Sequence, residues 1–329
     1  MTKKALLLSF ASIAAAAAVG QTVMARFTGR ATQISDSQAN RTSGPDLNPA
    51  FKAEISRLAD DGLLLKESCE IKFAGDSIAL AAVFVRSNPG DPREAYEFRV
   101  IEGGMGPART IFRRTEFFFT LSGSPEMAAL NARDLNGDGF KEVFVQSSSG
   151  GNCWGCNPTE IYRIGNHKAE LIAAGPIRRV MDLGGDGRVE LLVTDARWEI
   201  YGGLSHAAAP WSTIIYAWRN GRYQVASSDY PRFYETEIDR LRASVREAES
   251  LITNDESSDD SYVGLTVSLA ITYGDLGRPN AGLGVLRELL PANVKSPEQM
   301  KRRQAILDDF ESGESARKLS AIKYGDPLM

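Results

Sequence analysis

The chain has 329 residues, 43% of them apolar, which allows one large or two modest domains with a proper core. Its 38 basic and 42 acidic residues leave a net charge of −4. That balance argues against non-specific nucleic-acid binding, which needs clustered Lys and Arg.

Residues 1–25 read as a bacterial-type secretory signal. Lys3 and Lys4 form a charged start, Ala5 to Gly20 an apolar stretch, and Val23-Met24-Ala25 a cleavage site after Ala25. The stretch is short and Ala-rich beside the roughly 20 strongly apolar residues that a membrane span needs, so no stable membrane insertion is expected. An uncleaved signal anchor is the alternative. With no Cys near the cleavage site, a lipid anchor is not expected. Export to the periplasm or the exterior follows, and with it an oxidising compartment. Residues 26–47 are polar and without periodicity, which predicts a disordered linker.

A short helix is expected within residues 48–66. Asn48 is a good N-cap and Pro49 suits the first helical position. Phe51, Ile55, Leu58 and Ala59 share one face, and Gly62 ends it.

From residue 67 to 228 the pattern becomes that of strands. Cys69, Ile71 and Phe73 alternate, and an apolar run follows the Gly75-Asp76 turn. "AYEFRV" and "RTIFRRTEFFFTL" come next as strand-like runs. Two hairpins are expected, Glu160–Ile172 and Ile214–Ala226, with Gly165-Asn166 and Asn220-Gly221 as turn dipeptides. Cys69 lies on an apolar face and reads as a buried thiol. The pair Cys153 and Cys156, "CWGC", has three readings. A small disulfide loop is favoured. A zinc half-site lacks a second ligand pair nearby, and a thioredoxin-like motif would open a helix, where Pro158 and a strand-like run follow here.

Beyond residue 228 the period is helical. Tyr234, Ile238, Leu241, Val245, Ala248 and Ile252 form one apolar stripe. Asp255 to Asp260 reads as an acidic linker. Val267 to Leu290 reads first as a helical hairpin, and it resembles a single tetratricopeptide helix pair. Ser296-Pro297-Glu298-Gln299 is a capping box opening a helix to about Ser312.

The chemistry concentrates in two Asp-rich segments, "ARDLNGDGFKEVFV" from Ala132 and "VMDLGGDGRVELLV" from Val180. Counting from Asp134, side-chain oxygens fall at positions 1, 3, 5 and 9, on Asp134, Asn136, Asp138 and Glu142. Phe140 at position 7 can offer its carbonyl. Alternate spacing in a curled loop points these oxygens at one centre, and Gly137 and Gly139 permit the curl. Hard oxygen donors without His or thiolate suit Ca²⁺, and Mg²⁺ less well. The alternative is a turn held by Asx hydrogen bonds. An EF-hand is excluded, because position 12 is Val145 in a strand. In the second copy Asp182, Asp186 and Glu190 are kept, and position 3 is Gly184, so one ligand is lost.

Asp134, Asn136, Asp138, Gly139 and Glu142, followed by an apolar strand, match the pattern D-x-[DN]-x-D-G-x-x-[DE]. In this the segment resembles the FG-GAP, or VCBS-type, repeat. Over residues 131–227 the resemblance implies structural Ca²⁺ in loops between the strands of β-propeller blades. Two copies cannot close a propeller, so a partial or open assembly is implied, with the earlier strands as a degenerate third unit. The expected fold class is α+β, a β-rich region followed by helices at residues 229–329.

No catalytic or organic-cofactor residue stands out. His167 and His206 lie in loops, and no nucleophile elbow, Walker A or dinucleotide fingerprint is present. Asp195, Glu199 and Trp198 suggest sugar contact, though an aromatic with acids is more often surface or core. The expected function is an exported, non-catalytic calcium-binding module for a protein or glycan ligand. The rival is a calcium-stabilised glycan hydrolase, which needs paired carboxylates about 5 to 9 Å apart.

Overall fold

The computed structural model describes residues 47–75, 77–86, 95–104, 106–121, 124–151, 153–253, 256–321 and 328. The expected signal segment, and the linker up to residue 46, lie outside the described residues.

The first helix, α1, spans Pro49–Asp60, and the Asn48 side chain accepts the Ala50 N–H at 3.0 Å, as the cap reading requires. Gly62, at φ +80°, turns the chain into a strand that starts at Leu63, earlier than the sequence suggested. Strands β1 (Leu63–Lys72), β2 (Ile78–Arg86), β3 (Ala95–Gly103) and β4 (Arg109–Glu116) form an antiparallel meander. Strands β5 (Phe118–Leu121), β6 (Lys141–Ser148), β7 (Thr159–Gly165) and β8 (Lys168–Gly175) form a second. Strands β9 (Ile177–Met181), β10 (Glu190–Thr194), β11 (Thr213–Arg219) and β12 (Arg222–Val225) form a third. Three four-stranded antiparallel sheets are thus laid down in chain order, and among the described residues none closes into a barrel.

The run expected as one strand, "RTIFRRTEFFFTL", is divided. It leaves the first sheet at Glu116 and enters the second at Phe118, with the exposed Phe117 as the break. A short helix, α2 (Pro125–Leu130), follows it; Ser124 caps it by accepting the Met127 N–H at 3.2 Å. The first hairpin turns on Asn166 and His167, both at positive φ, one residue later than expected. The second turns on Asn220 and Gly221 as expected.

Burial explains the order of layers. Leu80, Ala82, Phe84 and Ile101 pack against Phe51 and Leu58 of α1. Their neighbours Ala81, Val83, Phe98 and Val100 face the other way, onto Phe119, Val143, Val145 and Tyr162 of the second sheet. Both faces of β2 are covered, so its sequence is continuously apolar instead of alternating. The far face of the second sheet, through Phe144 and Ile161, meets Leu191, Val193, Ile214 and Tyr216 of the third. Ile215 on the opposite face of β11 joins the core of the helical region.

That region holds α3 (Pro231–Ser250), α4 (Glu256–Asp275), α5 (Pro279–Leu289), α6 (Pro297–Ser312) and α7 (Glu314–Ala321). The predicted stripe on α3 is buried at Tyr234, Ile238, Leu241 and Val245. α4 and α5 pack closely, because a side chain on Gly282 would strike the Ala270 carbonyl. The acidic stretch expected as a linker is the start of α4. Its Asp259 and Asp260 are buried, and Asp259 accepts from Arg303 Nε at 3.0 Å. Arg303 also donates to the Leu290 carbonyl at 3.1 Å and to that of Ala292, tying the end of α5 to α6. Ser296 caps α6 by accepting the Gln299 N–H. Among the described residues no helix is long and apolar enough to cross a membrane.

Candidate functional site

Both Asp-rich segments lead into the second strand of a sheet, the first into β6 and the second into β10. Their hydrogen bonds match position for position. Asp134 accepts the N–H groups of Gly137 (2.8 Å), Asp138 (3.2 Å) and Gly139 (2.9 Å). Asp182 does the same for Gly185, Asp186 and Gly187. Asp138 accepts from Phe140 N–H, and Asp186 from Arg188 N–H, both at 3.0 Å. Glu142 accepts from Leu135 N–H, and Glu190 from Leu183 N–H, both at 2.7 Å. Gly137 and Gly139 adopt φ of +74° and +88°, and Gly185 and Gly187 +71° and +83°, where a side chain would be strained. The two loops are therefore one backbone device used twice.

They differ in surroundings. In the first, Asp134 and Asp138 are half-buried and Asn136 and Glu142 are buried. Asn136 accepts the Asp138 N–H at 3.0 Å and offers its amide to Glu142 at 3.3 Å. Asp138 also pairs with Arg163 at 3.0 Å, an arginine whose carbon sits 5.1 Å from the centre of the Phe140 ring. In the second, Asp182 and Asp186 are exposed, Gly184 adds no side chain, and only Glu190 is buried. The loops touch where Val189 N–H donates to the Leu135 carbonyl at 2.9 Å.

Burial pushes the Glu142 carboxyl up to about 8, and the nearby Asp138 and Asp134 charges add to the effect against the Leu135 amide. Glu190 is raised for the same leading reason, against hydrogen bonds from Leu183 and Tyr230. Between the loops lies Tyr223, fully buried, whose hydroxyl has no partner among the described residues. Besides burial, the charges acting on it are Glu142, Glu190 and Asp138. No sequence rule pointed to Tyr223 or Arg163, because both come from distant strands.

For a divalent cation the donor chemistry fits: carboxylate and amide oxygens, no imidazole and no thiolate, with an orphaned buried hydroxyl beside them. Among the described residues, no group of three or more His, Cys, Asp or Glu side chains is arranged to hold a metal ion. The loop carboxylates instead take their own backbone N–H groups.

The other residues singled out fall elsewhere. Trp198 is fully buried, donates to Asp195 and stacks on Phe310 at 5.6 Å, so it is core and offers no sugar platform. His167 is exposed, with its Nδ1 on Glu102. Cys153 and Cys156 form the disulfide favoured by the sequence, and the Trp154 N–H donates to Glu199. Cys69 is a half-buried free thiol that burial pushes up to about 11. The chain was compared with protein-family models, curated proteins and solved structures, and nothing matches it. The sites above therefore stand on their own geometry.

Proposed function

We propose that the chain is an exported, non-catalytic calcium-binding module whose three sheets act as propeller-like blades of FG-GAP type. The Ca²⁺ role is structural. Asp134, Asn136, Asp138, Glu142 and the Phe140 carbonyl hold the stronger site, and Asp182, Asp186 and Glu190 a weaker one. The observation that supports this is that the acids at positions 1, 5 and 9 make the same hydrogen bonds in both loops, down to the acid at position 9 accepting the amide of position 2. Bound Ca²⁺ would offset the repulsion among carboxylates drawn into one turn. The sheets and helices then present a surface for a protein or glycan ligand outside the cell.

The test is calcium titration followed by thermal melting. Wild type melts higher in millimolar Ca²⁺ than in chelator, and Asp138→Ala loses most of that rise. Equal melting temperatures for wild type with and without Ca²⁺ would overturn the proposal.

A further inference from the structure

Beside the first loop lies a cavity of about 420 Å³, walled by Gly137 and Asp138 of that loop, Arg188 of the second, and Trp218, Arg219 and Asn220 of the β11–β12 turn. The volume falls within the range of roughly 300–1,000 Å³ typical of small-molecule sites.

Its walls are built. Trp218 is half-buried, with its ring edge-to-face on the buried Tyr223, centroids 5.1 Å apart. Arg188 lies against the bare Cα of Gly137, where a Cβ would come within 3.2 Å of its Nε. The charges around the cavity are unequally engaged. Asp138 pairs with Arg163, which also pairs with Glu170, and Arg219 pairs with Asp229. The Arg188 side chain has no hydrogen bond or ion pair among the described residues. Arg188 is therefore the lining cation left without an ion pair among the described residues. A guanidinium matches a carboxylate or a phosphate. The aspartates of the two loops, Asp138 in the wall and Asp182 and Asp186 exposed on the loop of Arg188, disfavour a dianion, which leaves a single negative charge as the better match. A half-buried aromatic in the wall with polar groups around it suits a ring that carries hydroxyls.

We propose that this cavity binds a sugar ring bearing one carboxylate, with the ring against Trp218 and the carboxylate on Arg188. The inference rests on the reading of the chain as a binding module and does not require calcium in the loop.

The test uses saturation-transfer NMR on the full chain with D-glucuronate, D-glucose and glucose 6-phosphate, in CaCl₂ and in chelator. Glucuronate is expected to receive saturation and titrate, with glucose and the phosphate weaker. Arg188→Ala, an exposed and unpartnered position that leaves folding intact, is expected to weaken glucuronate roughly tenfold or more, the usual cost of a lost charge-assisted bond. Arg188→Glu should abolish binding, and Trp218→Ala should remove the transfer to ring protons. No transfer from glucuronate, equal binding of glucose, or indifference to both Arg188 variants would overturn the inference. Silence of glucuronate alongside a calcium-dependent rise in melting temperature sinks this inference alone. Glucuronate binding without any calcium effect supports it and removes calcium from the proposed function.

Discussion

Glu142→Gln separates a metal ligand from a turn residue. Glu142 is fully buried, and its carboxyl is pushed up to about 8 from an ordinary 4.5. A carboxyl raised on folding holds its proton in the native state over the window between those two values. Its contribution to stability is complete below pH 4.5 and is lost as pH rises towards 8. At about 1.4 kcal/mol per pH unit, the loss by pH 7 is about 3 kcal/mol. For a chain of this size that is on the order of 5–10 °C in melting temperature. Glutamine mimics the protonated acid and keeps an acceptor for the Leu135 amide. It gives up the 3.3 Å contact with the Asn136 amide, a cost of about 1 kcal/mol. In chelator, the variant should therefore melt close to wild type at pH 5.5 and above it at pH 8. Calcium reverses the comparison. A cation requires the ionised carboxylate, so wild-type affinity should rise about tenfold per pH unit up to pH 8, and glutamine should abolish the rise. The assay is thermal melting from pH 5.5 to 9, with and without millimolar CaCl₂, on both proteins. The reasoning is refuted if Glu142→Gln keeps the full calcium increment at pH 8, or if the wild-type increment is the same at pH 6 and 8.5.

Tyr223→Phe deletes a buried hydroxyl with no partner among the described residues, so in chelator the variant should be as stable as wild type or more stable by about 1 kcal/mol; urea melts showing a clear loss would contradict this. Arg303→Met leaves the buried Asp259 carboxylate only the more distant Arg302 guanidinium at 3.9 Å, which should cost up to about 3–5 kcal/mol in the same melts, with Asp259→Asn recovering part of it. Gly184→Asn restores the missing oxygen of the second loop. A Cβ there meets nothing closer than 3.8 Å and the backbone is not left-handed, so the change should fold normally and tighten calcium at that loop, read as a stronger second phase by calorimetry.

Much of the fold was legible where the signal is local. The Asn48 cap, the Asn220-Gly221 turn, the α3 stripe and the Ser296 cap all depend on residues within one turn of each other. The turn at Asn166-His167 was misplaced because Gly165 is glycine for another reason: the Phe140 ring occupies the space a side chain would need. α2 carries the same Ser-Pro-Glu opening as α6, yet six residues with one buried Met127 leave no periodicity to see. The division at Phe117 is a choice between sheets, and strand alternation runs through it unchanged. Asp259 and Asp260 looked like solvated linker because the Arg303 partner of Asp259 is 44 residues away. For the site, the glycines foretold the curl of the loop, and the acids make the Asx hydrogen bonds that were the alternative to a shared cation. The cavity, Arg163 and Tyr223 come from sheet packing, and no window of sequence contains it.

The second loop acts as an internal control on the first. It makes the backbone hydrogen bonds of positions 1, 5 and 9 with Asp182, Asp186 and Glu190 alone, without the one that Asn136 accepts in the first loop, and its two aspartates stand in water. The turn, then, needs neither a side chain at position 3 nor carboxylates withdrawn from solvent. In the first loop both conditions hold: Asn136 is buried, Asp134 and Asp138 are half-buried, and Glu142 is sealed beneath them. Removing carboxylates from water is unfavourable unless a countercharge meets them, and of the loop carboxylates Arg163 pairs with Asp138 alone while it is shared with Glu170. An Asx turn alone gives no reason for the two aspartates to be half-buried in one loop and exposed in its twin. On the proposed calcium role the difference would have a cause, because the same desolvation that penalises the bare carboxylates would strengthen their attraction to an ion.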